Sequence, residues 1–292
     1  MGTARGARVE AGLDDVLVSV RDLTEVDLSV YRRRTVERRV LGRMQKVGCP
    51  EYADYQERLR DDPAEAGLLL QHATIKVSRF FRNSDVFVRL RDEILPALAD
   101  RFGSHDLALW SAGCGQGEEA YSLAILLDQV AESRDEAAGG GRDARAPRVG
   151  ATIYATDVDP IALARAQEGI YPAEVLREVG PEVASRCFSL QPVGCRPGYR
   201  ISAAPRQRIA FLQHDLLCGA PPAGAVAFHL ILCRNVLIYL ERSAQQRVLE
   251  LLAGSLIPGG FLCLGEAEQL SAVLSVQFVT VDRHRRLYRK LD

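Results

Sequence analysis

The sequence predicts an α/β protein in which a mostly parallel sheet follows an all-helical segment. Two patterns carry this prediction. In roughly the first hundred residues, apolar positions recur at helical spacing without strand-like alternation. After Gly103, short apolar runs alternate with helical patterns, which is typical of parallel strands joined by covering helices.

Length and composition are those of an ordinary globular protein. The chain has 292 residues, 47% of them hydrophobic and 26% charged, which is enough apolar material for a buried core. Since domains usually hold roughly 100 to 200 residues, we predict two. A small helical domain takes 1–90 and a sheet-bearing domain takes 91–292.

Several classes of protein are disfavoured by what the sequence lacks. No stretch reaches the roughly 18 to 20 apolar residues of a membrane span, and the N-terminus has no apolar signal-peptide core. We therefore predict a cytoplasmic protein without membrane insertion. The seven cysteines are scattered without a CxxC pair, so we predict reduced thiols and no metal site.

A basic amphipathic helix is predicted in the N-terminal part. Seven Arg or Lys residues and one acid, Glu37, lie between Tyr31 and Lys46, while apolar residues recur there at helical spacing. Four of the basic residues are spaced by seven, four and three and so share one stripe: Arg32, Arg39, Arg43 and Lys46. A stripe of this kind is either a docking surface or a solvated face that aids solubility.

Five short apolar runs predict the strands of the sheet. They are Leu107–Trp110, Ala151–Ala155, Ile209–Leu212, Leu230–Cys233 and Phe261–Leu264. Helical patterns at 118–130, 160–167 and 243–252 lie between them. The turn-rich segment 187–205 predicts a small antiparallel β insertion, and the segment 131–148 predicts a surface loop.

A glycine-rich loop follows the first strand and opens the next helix. Its residues, Ser111 to Glu119, include three glycines, which let a ligand approach the backbone and the N-H groups of the helix terminus. Such a loop is also required by tight turns alone. The second strand ends at Asp157, which we predict to bind a ribose diol, whereas Asp159 before Pro160 is a helix N-cap. The spacing is wider than in dehydrogenases and favours a methyltransferase-type nucleoside site.

Three segments together resemble one known family. They are WSAGCGQGEEAYS at 110–122, TIKVSRFFR at 74–82 and CRNVLIYL at 233–240. With these segments in order, the chain resembles the CheR-type chemotaxis-receptor glutamate methyltransferases from about residue 30 to residue 290. The resemblance implies a Rossmann-like class I methyltransferase sheet, with the helical domain used for receptor recognition.

The resemblance also implies the reaction. A methyl group passes from S-adenosylmethionine to glutamate carboxylates on the cytoplasmic helices of chemoreceptors, which gives γ-methyl esters and S-adenosylhomocysteine. Because a carboxylate is already anionic at neutral pH, the attack needs positioning and desolvation rather than a general base. The partner is the receptor helical bundle, with no nucleic acid, and the enzyme is expected to be a monomer.

Site residues are carried over by position. Cofactor contacts fall on Lys76, Ser78, Arg82, Gly113, Glu119, Asp157, Asp215, Leu216, Asn235 and Val236. Arg82 and Tyr239 fall where the family has its substrate-facing catalytic pair, and an arginine can hold a carboxylate with two parallel hydrogen bonds. The basic stripe of Arg32, Arg39, Arg43 and Lys46 is the predicted substrate-docking surface.

Three departures from the family pattern leave alternatives open. Lys76 stands where the family usually has Asn, Ala120 where it has Pro, and His229 where it has Asp. One alternative is a catalytically weakened receptor-binding or cofactor-sensing homologue. A nucleic-acid methyltransferase is the other, suggested by the basic helix, but the chain lacks the Asp/Asn-Pro-Pro-aromatic step expected for base amino groups.

Overall fold

A computed structural model describes residues 3–74, 78–103, 107–137, 150–192, 194, 197–222 and 227–292. The chain forms two compact units, one of Met1–Lys76 with Leu237–Gln246 and the other of Val77–Val236 with Arg247–Asp292. The division falls near residue 76 rather than residue 90. Phe80 and Phe87 explain this position, because both are buried in the hydrophobic core of the second unit.

The described residues of the first unit include four complete α-helices. They are α1 (Thr3–Thr24), α2 (Arg33–Val47), α3 (Tyr52–Asp61) and α4 (Ala64–Ala73). On α2 the apolar residues Val36, Val40 and Met44, which recur at helical spacing, are buried, and the helix ends at Gly48 in the left-handed region. The all-helical N-terminal part is thereby confirmed.

Arg43 interrupts the predicted basic stripe on α2. The assignment of this one residue to substrate docking is corrected, because its side chain is engaged in a buried ion pair. Arg43 Nε and Nη2 donate to the two carboxylate oxygens of Glu65 at 2.7 and 2.6 Å. The Tyr55 hydroxyl donates to the same carboxylate at 2.8 Å. The side chains of Arg43 and Glu65 are only 11% and 1% exposed, so this arginine holds α2 to α4 instead of facing a partner.

The second unit contains most of the remaining elements. Its helices are α5 (Ser84–Arg89), continued by a π-helical turn (Leu90–Ile94) into α6 (Leu95–Phe102), then α7 (Glu118–Ala137), α8 (Pro160–Glu168), α9 (Pro181–Cys187), α10 (Ala203–Gln207) and α12 (Ala272–Ser275). Its strands are β1 (Leu107–Ala112), β2 (Ala151–Asp157), β3 (Ile170–Pro172), β4 (Phe188–Leu190), β5 (Gly198–Ile201), β6 (Ile209–Gln213), β7 (Phe228–Cys233), β8 (Leu256–Leu264), β9 (Phe278–Asp282) and β10 (Leu287–Lys290). The helix α11 (Arg242–Ser255) begins in the first unit and ends in the second.

A seven-stranded sheet in the order β6-β2-β1-β7-β8-β10-β9 organises the second unit. The five predicted strands run parallel, and β10 pairs antiparallel with both β8 and β9. The predicted class, a mostly parallel sheet covered by helices, is confirmed. The sequence did not single out β9 and β10 as strands.

A second, three-stranded antiparallel sheet has the order β3-β5-β4. It contains the predicted β insertion and adds Ile170–Pro172 from upstream of it. The predicted surface loop 131–148 begins as helix instead, because α7 continues to Ala137. Ala and Glu in these turns favour helix even without an apolar stripe, and 138–149 lie outside the described residues.

Within the described part of the chain, no helix combines the length and apolar character that crossing a bilayer requires.

We expect Arg43→Met to lower the free energy of unfolding by about 3–5 kcal/mol at neutral pH, because the buried Glu65 loses its cation. Burial by itself would raise the pKa of Glu65, but hydrogen bonds from Arg43 and Tyr55 hold it below the usual value. That depressed pKa contributes stability above the ordinary glutamate range, and the contribution is lost as the pH falls through the folded value.

In the Arg43→Met protein, burial acts on Glu65 without the arginine, so acid should relieve part of the penalty. The difference in unfolding free energy between wild type and variant, from urea titrations, should shrink as the pH falls toward 4. The exposed Arg38 provides the control, since Arg38→Met should change stability by less than about 0.5 kcal/mol. Equal losses for both variants would contradict the buried pair.

Candidate active site

The glycine loop between β1 and α7 is fixed by the end of β2. Gly113 N and Cys114 N both donate to the carbonyl oxygen of Thr156 at 2.8 Å. Gly113, Gly115 and Gly117 have φ angles of 75°, 57° and 93°, a region that favours glycine. A Cβ on Gly115 would meet no atom within 4 Å, so the loop faces open space at this residue.

Asp157 closes this loop with its side chain. Its Oδ2 accepts from Gly115 N at 2.9 Å, and its Oδ1 accepts from Asp159 N at 3.0 Å. The residue is 9% exposed. Asp159 caps α8 by accepting from Ile161 N and Ala162 N, as the sequence predicts. Asp157 thus shapes the loop as well as presenting a carboxylate at the strand end.

Two glutamates open α7 in different surroundings. Glu119 accepts from the Ser111 hydroxyl at 2.8 Å and lies 3.4 Å from Arg234 Nη1. Burial raises the pKa of Glu119, and Arg234 partly offsets that effect. Glu118 is 4% exposed and its burial raises its pKa to about 7. Its Oε2 is buried without a hydrogen-bond partner in the described residues.

The Phe-Phe-Arg turn holds Arg82 between two residues with left-handed backbone. Phe81 and Asn83 have φ angles of 52° and 60°, a region that is unfavourable for phenylalanine and that asparagine tolerates better. Phe81 N donates to the Ser122 hydroxyl at 2.9 Å, and Arg234 Nη2 donates to Arg82 O at 2.9 Å and to Asn83 Oδ1 at 2.7 Å. The surrounding contacts therefore impose this turn.

Two residues near this turn, Phe80 and Arg234, support the fold. Phe80 is fully buried with its ring edge-on to Tyr171 and Phe188, at centroid distances of 4.9 and 5.0 Å. Arg234 is 7% exposed and its guanidinium also lies over the ring of Phe87. Phe80 is thus a core residue, and Arg234 anchors the Arg82 turn to the end of β7.

The end of β7 carries Asn235 and Val236, both predicted cofactor residues. Asn235 has a φ angle of 61°, and the N-H groups of both residues donate to the carboxylate of Glu268 at 3.0 and 2.8 Å. Sequence reasoning missed Glu268. The hydrogen bonds that its carboxylate accepts from Asn235 and Val236 come from backbone groups, which leave no residue pattern, and the only signal was an acid shortly after the end of an apolar strand.

Strand order brings part of the predicted set together. Because β2, β1 and β7 are neighbours and parallel, their carboxyl ends meet at one edge of the sheet. A Cβ built on Gly113 would lie 2.5 Å from Val236 Cγ2, which shows how closely the glycine loop and the β7 turn approach. This edge is suited to a nucleoside ligand that a carboxylate and backbone groups recognise.

Asp215 and Leu216 follow β6, the parallel neighbour of β2, and so belong to the same edge of the sheet, whereas Ser78 and Tyr239 come from other parts of the chain. Asp215 follows β6 and accepts from Leu217 N at 2.9 Å, and Leu216 is half-buried beside it. Ser78 is partly exposed in the segment before the Phe-Phe-Arg turn. Lys76 lies outside the described residues. Tyr239 belongs to the first unit, where its carbonyl accepts from Arg32 N at 2.8 Å.

Comparison with known proteins gives matches over most of the chain. The family model described as "CheR methyltransferase, SAM binding domain" matches residues 76–285, and "CheR methyltransferase, all-alpha domain" matches residues 11–74.

Relatives match over similar lengths. Cher3 of Pseudomonas putida is 33% identical over 269 residues, which cover 90% of this chain and 91% of the relative. Chemotaxis protein methyltransferases of Listeria monocytogenes and Klebsiella aerogenes are 32% and 31% identical, covering 86% and 84% of this chain and 86% and 79% of theirs. With both family models and these relatives matched, the chain belongs to the CheR methyltransferase family and binds S-adenosylmethionine.

Proposed function

We propose that this enzyme transfers the methyl group of S-adenosylmethionine to glutamate side chains of chemoreceptor cytoplasmic helices, which gives γ-methyl esters. One observation carries the proposal. The second unit of a CheR-family chain holds Arg82 in a strained turn that Arg234 ties to Glu119, at the start of the helix that follows the glycine loop. A carboxylate-binding group is thus linked to the cofactor region. The relatives named chemotaxis protein methyltransferase support receptors as substrates.

The residues at the strand ends fit the cofactor. Gly115 faces open space with a backbone that favours glycine, and Asp157 places a carboxylate beside it for a ribose diol. The buried Oε2 of Glu118 near the loop has no hydrogen-bond partner among the described residues, so it is available to a ligand. A cationic, nucleoside-bearing ligand suits this set of groups. The further proposed cofactor contacts are Lys76, Ser78, Arg82, Gly113, Glu119, Asp215, Leu216, Asn235 and Val236.

Catalysis in this proposal depends on holding an anion that is already reactive. The cofactor supplies an electrophilic sulfonium methyl group. A glutamate oxygen forms the new O-C bond as the S-C bond breaks, and no proton has to move. Arg82 holds and orients the carboxylate through paired N-H donors, and exclusion of water strengthens that interaction.

Receptor docking is proposed for the exposed part of the basic stripe. Arg32 and Lys46 are exposed and Arg39 is half-buried, whereas Arg43 is withdrawn into its ion pair. Burial lowers the pKa of His72, and the charges of Arg39, Arg43 and Lys46 act in the same direction, which supports a positive field on this side of the unit. Acidic receptor helices are favoured by such a field.

The reaction is tested with purified protein, methyl-labelled S-adenosylmethionine and a receptor cytoplasmic fragment. We expect label on the fragment that alkali releases as methanol, because carboxyl esters hydrolyse whereas N-methyl groups do not. A fragment with glutamines at the accepting positions is the matched control, and RNA is assayed in parallel. Alkali-stable label, or label on RNA alone, would reject the proposal.

We expect Arg82→Ala to lower kcat at saturating cofactor and receptor by at least about 100-fold, or about 2.7 kcal/mol in barrier. Arg82→Lys should recover little of this loss, because an ammonium cannot reproduce the planar guanidinium fork. Arg79→Ala is the control. Arg79 lies on the same segment as Arg82, but it is exposed and paired with Glu178. A folded Arg82→Ala protein with near-normal turnover would rule out the assigned role.

Charge reversal tests the docking surface. We expect the double change Arg39→Glu and Lys46→Glu to raise KM for the receptor several-fold at low salt, while kcat and cofactor affinity stay within about twofold. Added salt should raise the wild-type KM in the same direction, because exposed charges are screened. Arg43 is left intact to preserve the fold.

The control for this experiment is the double change Arg34→Glu and Arg38→Glu. Both residues are exposed on α2, and Arg34 lies roughly 140° around the helix from Arg39 at about 100° per residue. The two doubles alter net charge equally, so net charge alone cannot produce a difference in KM between them. Equal KM values for the two doubles would show that the stripe is a solvated face.

A further inference from the structure

Glu268 is a buried carboxylate at the ends of two neighbouring strands. It is 4% exposed. Its Oε2 accepts from Gly265 N at 2.7 Å and Asn235 N at 3.0 Å, and its Oε1 accepts from Val236 N at 2.8 Å. The last register pair of β7 and β8 is Cys233 with Leu264, so the carboxylate lies where their ladder stops.

The chemistry of these contacts calls for an ionised carboxylate. Three N-H donors converge on two oxygens, and charge-assisted bonds of this kind are the stronger class. An amide of the same shape would have to turn its NH₂ group toward at least one N-H donor. Burying a charge gains little stability over an apolar residue, so the benefit of Glu268 is better sought in local geometry.

The geometry that Glu268 imposes reaches the glycine loop. Asn235 adopts a left-handed backbone, and a Cβ on Gly265 would lie 2.6 Å from Glu268 Oε2 and 2.8 Å from Asn235 N. The Asn235–Val236 turn therefore has no room for a side chain at Gly265. On the other side, Val236 Cγ2 fills the space where a Cβ on Gly113 would stand. A displacement of the Val236 backbone would therefore shift the glycine loop as well.

We infer that Glu268 is a positioning residue for the cofactor site, acting through the Asn235–Val236 turn rather than by touching the ligand. The inference rests on the proposed cofactor contacts of that turn. It assigns a functional role to the segment after β8, which no sequence motif singled out. The loss of these hydrogen bonds should weaken cofactor binding more than it weakens the fold.

The first test is Glu268→Gln, with affinity for S-adenosylhomocysteine measured by calorimetry and stability by urea unfolding. We expect Kd to rise at least about tenfold in a folded protein. Asp282→Asn is the matched control, because Asp282 accepts from His284 N and Arg285 N at the β9–β10 turn of the same sheet. This control should lose stability and keep its affinity. A Kd for Glu268→Gln that equals the wild-type or control value would overturn the inference.

A double-mutant cycle with Val236→Ala separates positioning from general weakening. If Glu268 acts through the turn, Glu268→Gln should cost clearly less affinity in the Val236→Ala background than in the wild type. Additive effects would overturn the inference. Should Glu268→Gln fail to fold, Glu268→Asp keeps the charge on a chain one methylene shorter, and the same rise in Kd is expected; wild-type affinity would reject the role.

These readouts need no receptor, so the two proposals fail separately. Wild-type protein that binds S-adenosylhomocysteine but leaves receptor fragments unmethylated would reject the proposed function alone. Glu268→Gln with unchanged affinity would reject the positioning role, whatever the receptor assay shows.

Discussion

The carbonyl oxygen of Thr156 accepts two successive N-H groups of the glycine loop, and the cofactor region depends on that shared acceptor. Asp157, the next residue, takes the third N-H through its side chain. The end of β2 thus determines the path of a loop that follows β1. Because parallel strands finish at one edge, the same arrangement brings the β7 turn against Gly113.

Elements with a strong local signal were predictable. The five parallel strands, the glycine loop and the Asp159 cap each depend on neighbouring residues, so the sequence indicates them directly. The strands β9 and β10 were missed because they are short and half-exposed, and their antiparallel pairing with β8 is a long-range property. The helical extension of α7 was missed because its last turns are polar on all sides.

Arg43 and Glu268 show why the roles of some residues could not be predicted from the sequence. Spacing predicts that Arg43 shares a face with Arg39 and Lys46, but its partner Glu65 lies 22 residues away on another helix. Only the packing of α2 on α4 decides which cation is withdrawn. Glu268 is recognised by backbone N-H groups 32 and 33 residues earlier, and no side-chain pattern encodes those. Both residues are charged, and the role of each depends on the buried contacts that it makes in the folded protein.

Backbone strain in the second unit lies beside these buried charges. Phe81, Asn83 and Asn235 adopt left-handed φ angles, at a cost of about 1–3 kcal/mol for Phe81 and less for the two asparagines, which tolerate this region better. Arg234 contacts the first turn and Glu268 the second. Each strained turn is therefore held before any ligand arrives, so the cost of ordering the site is met during folding. A site ordered in this way can spend its binding energy on orienting the methyl donor and the acceptor carboxylate.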